Sequence, residues 1–191
     1  MKRAVAAVAA VILGACALPQ ARPKPMARVA VEVLRGAALR AGGPVGASER
    51  VEVLIDATSS MAAAAQAGPS RLAAARSLVG RVVRSLPSER AIGLRMLHGS
   101  EDGRCTATTS RFESGAGEDR APLLEPLAAL APAGEASLAG AIDELALGLS
   151  AGGGSGSLRL VVLSDLSGDC GGSLCRALAG VAARGARVEL V

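Results

Sequence analysis

Aromatic residues are almost absent: Phe112 stands alone among 191 residues, with no Trp and no Tyr. A core must therefore be filled by Ala, Val and Leu, which suits close-packed helices lying on a sheet. The same absence removes the stacking platform that single-stranded nucleic acid requires. Charge is also scarce, at 20% of residues and a formal net +4, which falls to +2 once Lys2 and Arg3 are removed with the first 15 residues. A solvated, mildly basic surface accounts for that balance, and it gives no case for nucleic acid as a partner. His98 is the sole histidine; its spacing from the cysteines fits no common zinc motif, and it gives no convincing Ser-His-acid order. No GK[ST] phosphate loop occurs either. Half of the residues are apolar, enough for a packed core in a chain of one-domain length.

The amino terminus has the form of an address. Lys2 and Arg3 precede an apolar run from Ala4 to Leu13, which is too short for a bilayer span of about 20 residues. The run ends Leu13-Gly14-Ala15-Cys16, small residues before a cysteine. This resembles the lipobox of bacterial lipoproteins. The resemblance implies a signal peptide over residues 1–15 and a lipid-modified Cys16, tethering the chain to a membrane surface outside the cytoplasm. Ala17 rather than Asp after the cysteine implies the outer membrane in a Gram-negative cell. An ordinary secretory peptide cut nearby is the alternative. Residues 16–48 then form a tether, proline-rich from Pro19 to Met26, with a possible edge strand at Arg28–Leu34.

The domain is expected over residues 49–191. Short strands are predicted at Arg50–Asp56, Ala91–Leu97, Leu158–Leu163 and Arg187–Val191, with a hairpin return around Thr108–Glu113. Between them fall helical patterns. Ser70–Leu86 puts Leu72, Ala75, Val79, Val82, Val83 and Leu86 on one stripe and leaves Arg71, Arg76, Arg81 and Arg84 as solvated charges. Further helices are expected at Asp119–Leu130, bent or split by Pro126, and at Leu138–Leu149 and Leu174–Arg184, the last stopped by Gly185. Gly152–Ser157 reads as a flexible connector. Short, nearly all-apolar strands alternating with helices indicate an α/β fold: a doubly wound, mostly parallel sheet with helices on both faces. In such sheets ligands bind beyond the carboxyl ends of the strands.

Two strands end in an aspartate at that edge, Asp56 and Asp165. Asp56, Thr58 and Ser60 occupy alternate positions, and all three carry the oxygen that hard cations require. One carboxylate with two neutral hydroxyls leaves a cation electrophilic enough to accept an acidic group from a partner. The competing reading is local: Asp56 caps a turn and the hydroxyls bond to the backbone.

The segment Leu54-Ile55-Asp56-Ala57-Thr58-Ser59-Ser60-Met61 resembles the DxSxS motif of the von Willebrand factor type A domain, with Thr58 in place of the first serine. Ile92-Gly93-Leu94-Arg95, Cys105, Val161-Val162-Leu163-Ser164-Asp165 and Cys170-Gly171-Gly172-Ser173-Leu174-Cys175 follow in the order seen in a bacterial subgroup of that family. The resemblance covers about Arg50 to Val191. It implies a three-layer sandwich that binds Mg²⁺ or Mn²⁺ through Asp56, Thr58, Ser60 and Asp165 and engages a protein partner through the metal. The family's usual threonine falls on Ala136, so Ser137, one residue on, is the candidate substitute. Leu166 stands where the family favours glycine.

With Cys16 lipidated, Cys105, Cys170 and Cys175 remain in a compartment that permits disulfides. A local Cys170–Cys175 bridge across two glycines is the first expectation. The family's sheet order also brings the region after the second strand near Cys170, which makes Cys105 the alternative partner. His98 is expected in a surface loop. No enzyme is indicated: a phosphatase-like DxDxT motif would need an acid at Thr58, and Ser60 has no triad around it.

Overall fold

The computed structural model describes residues 50–64, 68–100, 102, 104–107, 109–151, 158–167, 170 and 172–191. The expected signal peptide, the lipidated Cys16, the tether, the Arg28–Leu34 strand and the Gly152–Ser157 connector lie outside the described residues.

Five strands form one sheet in the order β3-β2-β1-β4-β5. They are β1 (Arg50–Ala57), β2 (Ile92–His98), β3 (Thr109–Ser114), β4 (Leu158–Leu163) and β5 (Arg187–Leu190). All neighbours run parallel except β3, which returns antiparallel to β2 at the edge. The helices are α1 (Arg71–Ser85), α2 (Ala121–Ala129), α3 (Leu138–Ala151) and α4 (Leu174–Ala182).

Alternation along each strand sorts its side chains to two faces. Val51, Val53 and Ile55 of β1 join Leu72, Val79 and Val83 of α1 and Leu123 and Leu127 of α2 in one core. Leu54, Leu160 and Val162 join Ile142 and Leu145 of α3 and Leu178 and Val181 of α4 in the other. The result is the expected three-layer, doubly wound α/β sandwich. With no large ring to fill space, alanines serve as contact residues: Ala141 and Ala177 are fully buried.

Helix boundaries follow from local chemistry. Ser70 caps α1, its hydroxyl accepting from the Ala73 N–H at 3.2 Å. Pro126 neither splits nor ends α2; it lies inside a nine-residue helix, where it removes only one ladder bond. Gly185 stops the chain after α4 with φ +86°, a conformation that L side chains rarely adopt.

One polar feature crosses the hydrophobic pattern. Glu52 in β1 is 3% exposed, and its carboxylate accepts from Arg95 Nε at 2.9 Å and from Arg50 Nη2 at 3.0 Å. Arg95 is itself buried. Gly93 makes the room, because a Cβ at that position would overlap the Glu52 carboxylate. Arg50 and Arg111 also pair with Glu113 on β3, so this ion network ties the edge strand to the sheet centre.

Candidate functional site

The chain leaves β1 toward β2 on one side and later returns to β4 on the other. The switch point therefore falls beyond the carboxyl ends of β1 and β4, the position where open α/β sheets hold ligands. Asp56 is the penultimate residue of β1, and Asp165 follows β4 by two residues.

Asp56 is buried, at 3% exposure. Its Oδ1 accepts from the Thr58 N–H at 2.8 Å and its Oδ2 from the Ser164 hydroxyl at 2.6 Å. The first bond is the turn-capping role that local reasoning allows. The hydroxyls do more than bond to the backbone, although Ser60 Oγ also reaches the Ser167 carbonyl at 3.2 Å. Thr58 stands at the start of a short 3-10 turn, Ser59–Ala62, without capping it through its side chain. Thr58 Oγ1 instead lies 3.1 Å from Ser60 Oγ, and Ser60 Oγ donates to Asp165 Oδ1 at 3.0 Å. Asp56, Thr58, Ser60 and Asp165 thus belong to one continuous polar cluster.

Two loops hold it. The Ser167 N–H donates to Asp165 Oδ1 at 3.0 Å, and the Leu166 N–H to Ser164 Oγ at 3.0 Å, folding the chain after β4 back on Asp165 and on the hydroxyl that holds Asp56. That wrap leaves Leu166 at φ +57° with 41% of its surface exposed. From the other side, Gly134 accepts from the Ser59 N–H at 2.8 Å. Gly134 has φ +56°, and a Cβ there would collide with the Ser100 backbone; only glycine fits.

Burial opposes ionisation of Asp165. The hydrogen bonds from Ser167 and Ser60 and the nearby Arg71 charge outweigh it and hold the carboxyl below its ordinary range.

Four of the five candidate ligands therefore come together. Ser137 is placed differently: it precedes α3, and its Oγ accepts from the Gly140 N–H at 2.9 Å, a helix-capping bond. Ala136 at the usual threonine position is buried and offers no oxygen.

Three residues escaped sequence reasoning. Ser164 supports Asp56, Ser167 supports Asp165, and Arg71 pairs through Nη1 with Asp165 Oδ2. A signal existed for Arg71. It opens the helix that follows β1, and a βα crossover begins at the same sheet edge as the strand ends. The arginines of α1 are not merely solvated charges, since Arg76 also donates to the Ala128 and Leu130 carbonyls at 2.9 and 3.0 Å. His98 is the last residue of β2 rather than a loop residue, and its Nε2 lies 2.9 Å from Ser110 Oγ.

The cysteine pairing is corrected. Cys170 bonds to Cys105, not to Cys175, with the Cα atoms 5.4 Å apart, well inside the range a disulfide spans. The reason lies in the topology. The segment after β2 crosses toward the start of α3, where Thr106 bridges Ala136, and meets the loop after β4. Cys175, in the first turn of α4 behind the Ser173 cap, is engaged elsewhere. The bridge joins two loops at the sheet edge that carries the cluster.

The donor set suits a hard divalent cation. Among the described residues no group of three or more His, Cys, Asp or Glu gathers, so a cation here relies on hydroxyl oxygens beside the two carboxylates. Cis ligands of an octahedral Mg²⁺ shell at about 2.1 Å stand about 3 Å apart. The Thr58–Ser60 and Ser60–Asp165 separations of 3.1 and 3.0 Å meet that spacing, which hydrogen bonds share. Among the described residues, no helix is long and apolar enough to cross a membrane. No protein-family model matches the chain, and no curated protein matches it.

Proposed function

We propose that this chain is a partner-binding module of the von Willebrand factor type A kind, not an enzyme. It holds Mg²⁺ or Mn²⁺ through Asp56, Thr58, Ser60 and Asp165. The observation that carries the reading is the gathering of oxygens at one sheet edge: the Thr58 and Ser60 hydroxyls and the Asp165 carboxylate are joined in sequence, and the Asp56 carboxylate is held beside them by the Thr58 backbone N–H. When bound, a divalent ion supplies an electrophilic centre that accepts one further oxygen ligand. The protein's own groups do the rest. Thr58 and Ser60 contribute neutral oxygens, so the local charge is not quenched. Ser164 and Ser167 fix the orientation of the two carboxylates. The partner in this reading is a protein that presents an acidic side chain to the rim.

Lipidation at Cys16 anchors the module at the cell envelope, outside the cytoplasm, in the outer membrane of a Gram-negative cell. Replacing Cys16 by Ser then abolishes labelling by a radioactive fatty acid; persistent labelling contradicts the anchor.

A second reading, a scaffold of the same fold that works without metal, draws on two observations. Arg71 already faces Asp165 with a positive charge, and Ala136 supplies no hydroxyl. A thermal-shift titration separates the two. Mg²⁺ or Mn²⁺ raises the Tm of the wild type but not of Asp56→Ala or Ser60→Ala if the metal reading holds. Equal stabilisation of all three proteins, or of none, contradicts it.

A further inference from the structure

We propose that Arg71 is the resident counter-cation of the cluster, exchanging with the divalent ion for Asp165 and so setting how tightly the site takes metal. The inference rests on the metal-binding reading above and deepens it.

Arg71 Nη1 pairs with Asp165 Oδ2 and also reaches the Ser60 carbonyl at 3.4 Å. Asp165 Oδ1 is engaged by Ser60 and Ser167. Both oxygens of the carboxylate therefore have partners within the chain, and the one facing Arg71 is held by a formal charge. Asp56 and Asp165 are the two anions of the cluster, and Arg71 balances one of them. A bound divalent ion would balance both and would set a second positive charge against the guanidinium. Like charges so close repel, and the repulsion is relieved when Arg71 withdraws.

The geometry permits that withdrawal. The Arg71 side chain is 41% exposed, whereas that of Asp165 is 9% exposed. The long side chain thus stands on the solvent side of a carboxylate held in place by its loop. Its backbone does not have to move: the Arg71 N–H is bonded to the Ala63 carbonyl at 2.9 Å, which pins the start of α1 to the end of the Ser59–Ala62 turn. A fixed backbone with a movable charged tip is what an exchangeable counter-ion needs. Arg81, on the same helix, bonds to Ser77 at 3.0 Å and serves as a charge-matched control.

The experiment is a Mn²⁺ titration of the full chain, following the free-ion signal by electron paramagnetic resonance. Four proteins are compared: wild type, Arg71→Gln, Arg71→Lys and Arg81→Gln. Arg71→Gln is expected to bind Mn²⁺ roughly tenfold more tightly than wild type. Arg71→Lys should stay nearer to wild type, and Arg81→Gln should change the Kd by less than about twofold, because its charge is distant and screened. Equal or weaker binding by Arg71→Gln overturns the inference while leaving the metal reading standing. An equal gain in Arg81→Gln overturns it as well, since overall charge would then explain the effect. Absence of binding in all four proteins removes the metal reading itself and this inference with it.

Discussion

The Ser60 hydroxyl donates to Asp165 Oδ1 at 3.0 Å across 105 residues of sequence. That bond links the turn after β1 to the loop after β4. It is thus a fold contact and a site contact at once, and removing it should register in both. Ser60→Ala should lose about 1.5–3 kcal/mol of stability in metal-free buffer, the range for a hydrogen bond to a charged group. Denaturant unfolding measures the loss. A variant as stable as wild type would mean that the bond is not maintained in solution.

The Glu52–Arg95 pair serves the fold alone. Both residues are buried in the sheet, and deleting Glu52 leaves the buried Arg95 charge with the longer contact to Glu144 at 3.7 Å in place of its closest partner. Glu52→Ala should therefore destabilise the protein by about 3–5 kcal/mol. A double-mutant cycle with Arg95→Ala should show strong coupling, because the double variant no longer buries an Arg95 charge that has lost its closest partner. Independent, additive losses would contradict the pairing.

The Cys105–Cys170 bridge closes a loop with a sequence separation of 65. Chain-entropy reasoning assigns such a loop up to about 4 kcal/mol. Cys105→Ser should lower the Tm markedly and, by loosening the loop after β4, weaken any response to Mn²⁺. Peptide mapping of the non-reduced protein should recover the Cys105 and Cys170 peptides joined. A Cys170–Cys175 peptide in their place would contradict the assignment.

Glu113 predicts the pH dependence. Burial disfavours its charge, but the hydrogen bond from Arg50 and the charges of Arg50, Arg111 and Arg95 prevail, holding its carboxyl below the ordinary range. The folded form then binds fewer protons than the unfolded chain in that window. This part of the stability is complete above the unfolded pKa of about 4.3 and is lost as pH falls through the lower folded value. Glu113→Gln should flatten the decline in stability below about pH 4.3. Unchanged acid sensitivity would show that the network is not formed in solution.

Much of this fold was legible from apolar periodicity. Leu158–Leu163 was read with its final boundaries, and α1 within one residue at each end, because both carry uninterrupted patterns and α1 has a serine cap. The helix expected around Pro126 is present and not split, since a single lost ladder bond does not break a helix packed through Leu123 and Leu127. That Asp56, Thr58, Ser60 and Asp165 gather at one sheet edge was readable, because strand ends and alternate spacing are local signals. The disulfide partner and the role of Arg71 were not, as each depends on which loops meet across the sheet edge. Ser164 had a local signal, immediately before Asp165 at the end of a strand. Its hydrogen bond to Asp56, 108 residues away, could be known only from the strand order.

The most direct measurement is an anomalous-scattering map from crystals of the protein soaked in Mn²⁺. The account predicts one strong peak at coordination distance from the Thr58 and Ser60 oxygens, between the carboxylates of Asp56 and Asp165, with Arg71 turned away. No peak there, with Arg71 still seated on Asp165, would contradict it.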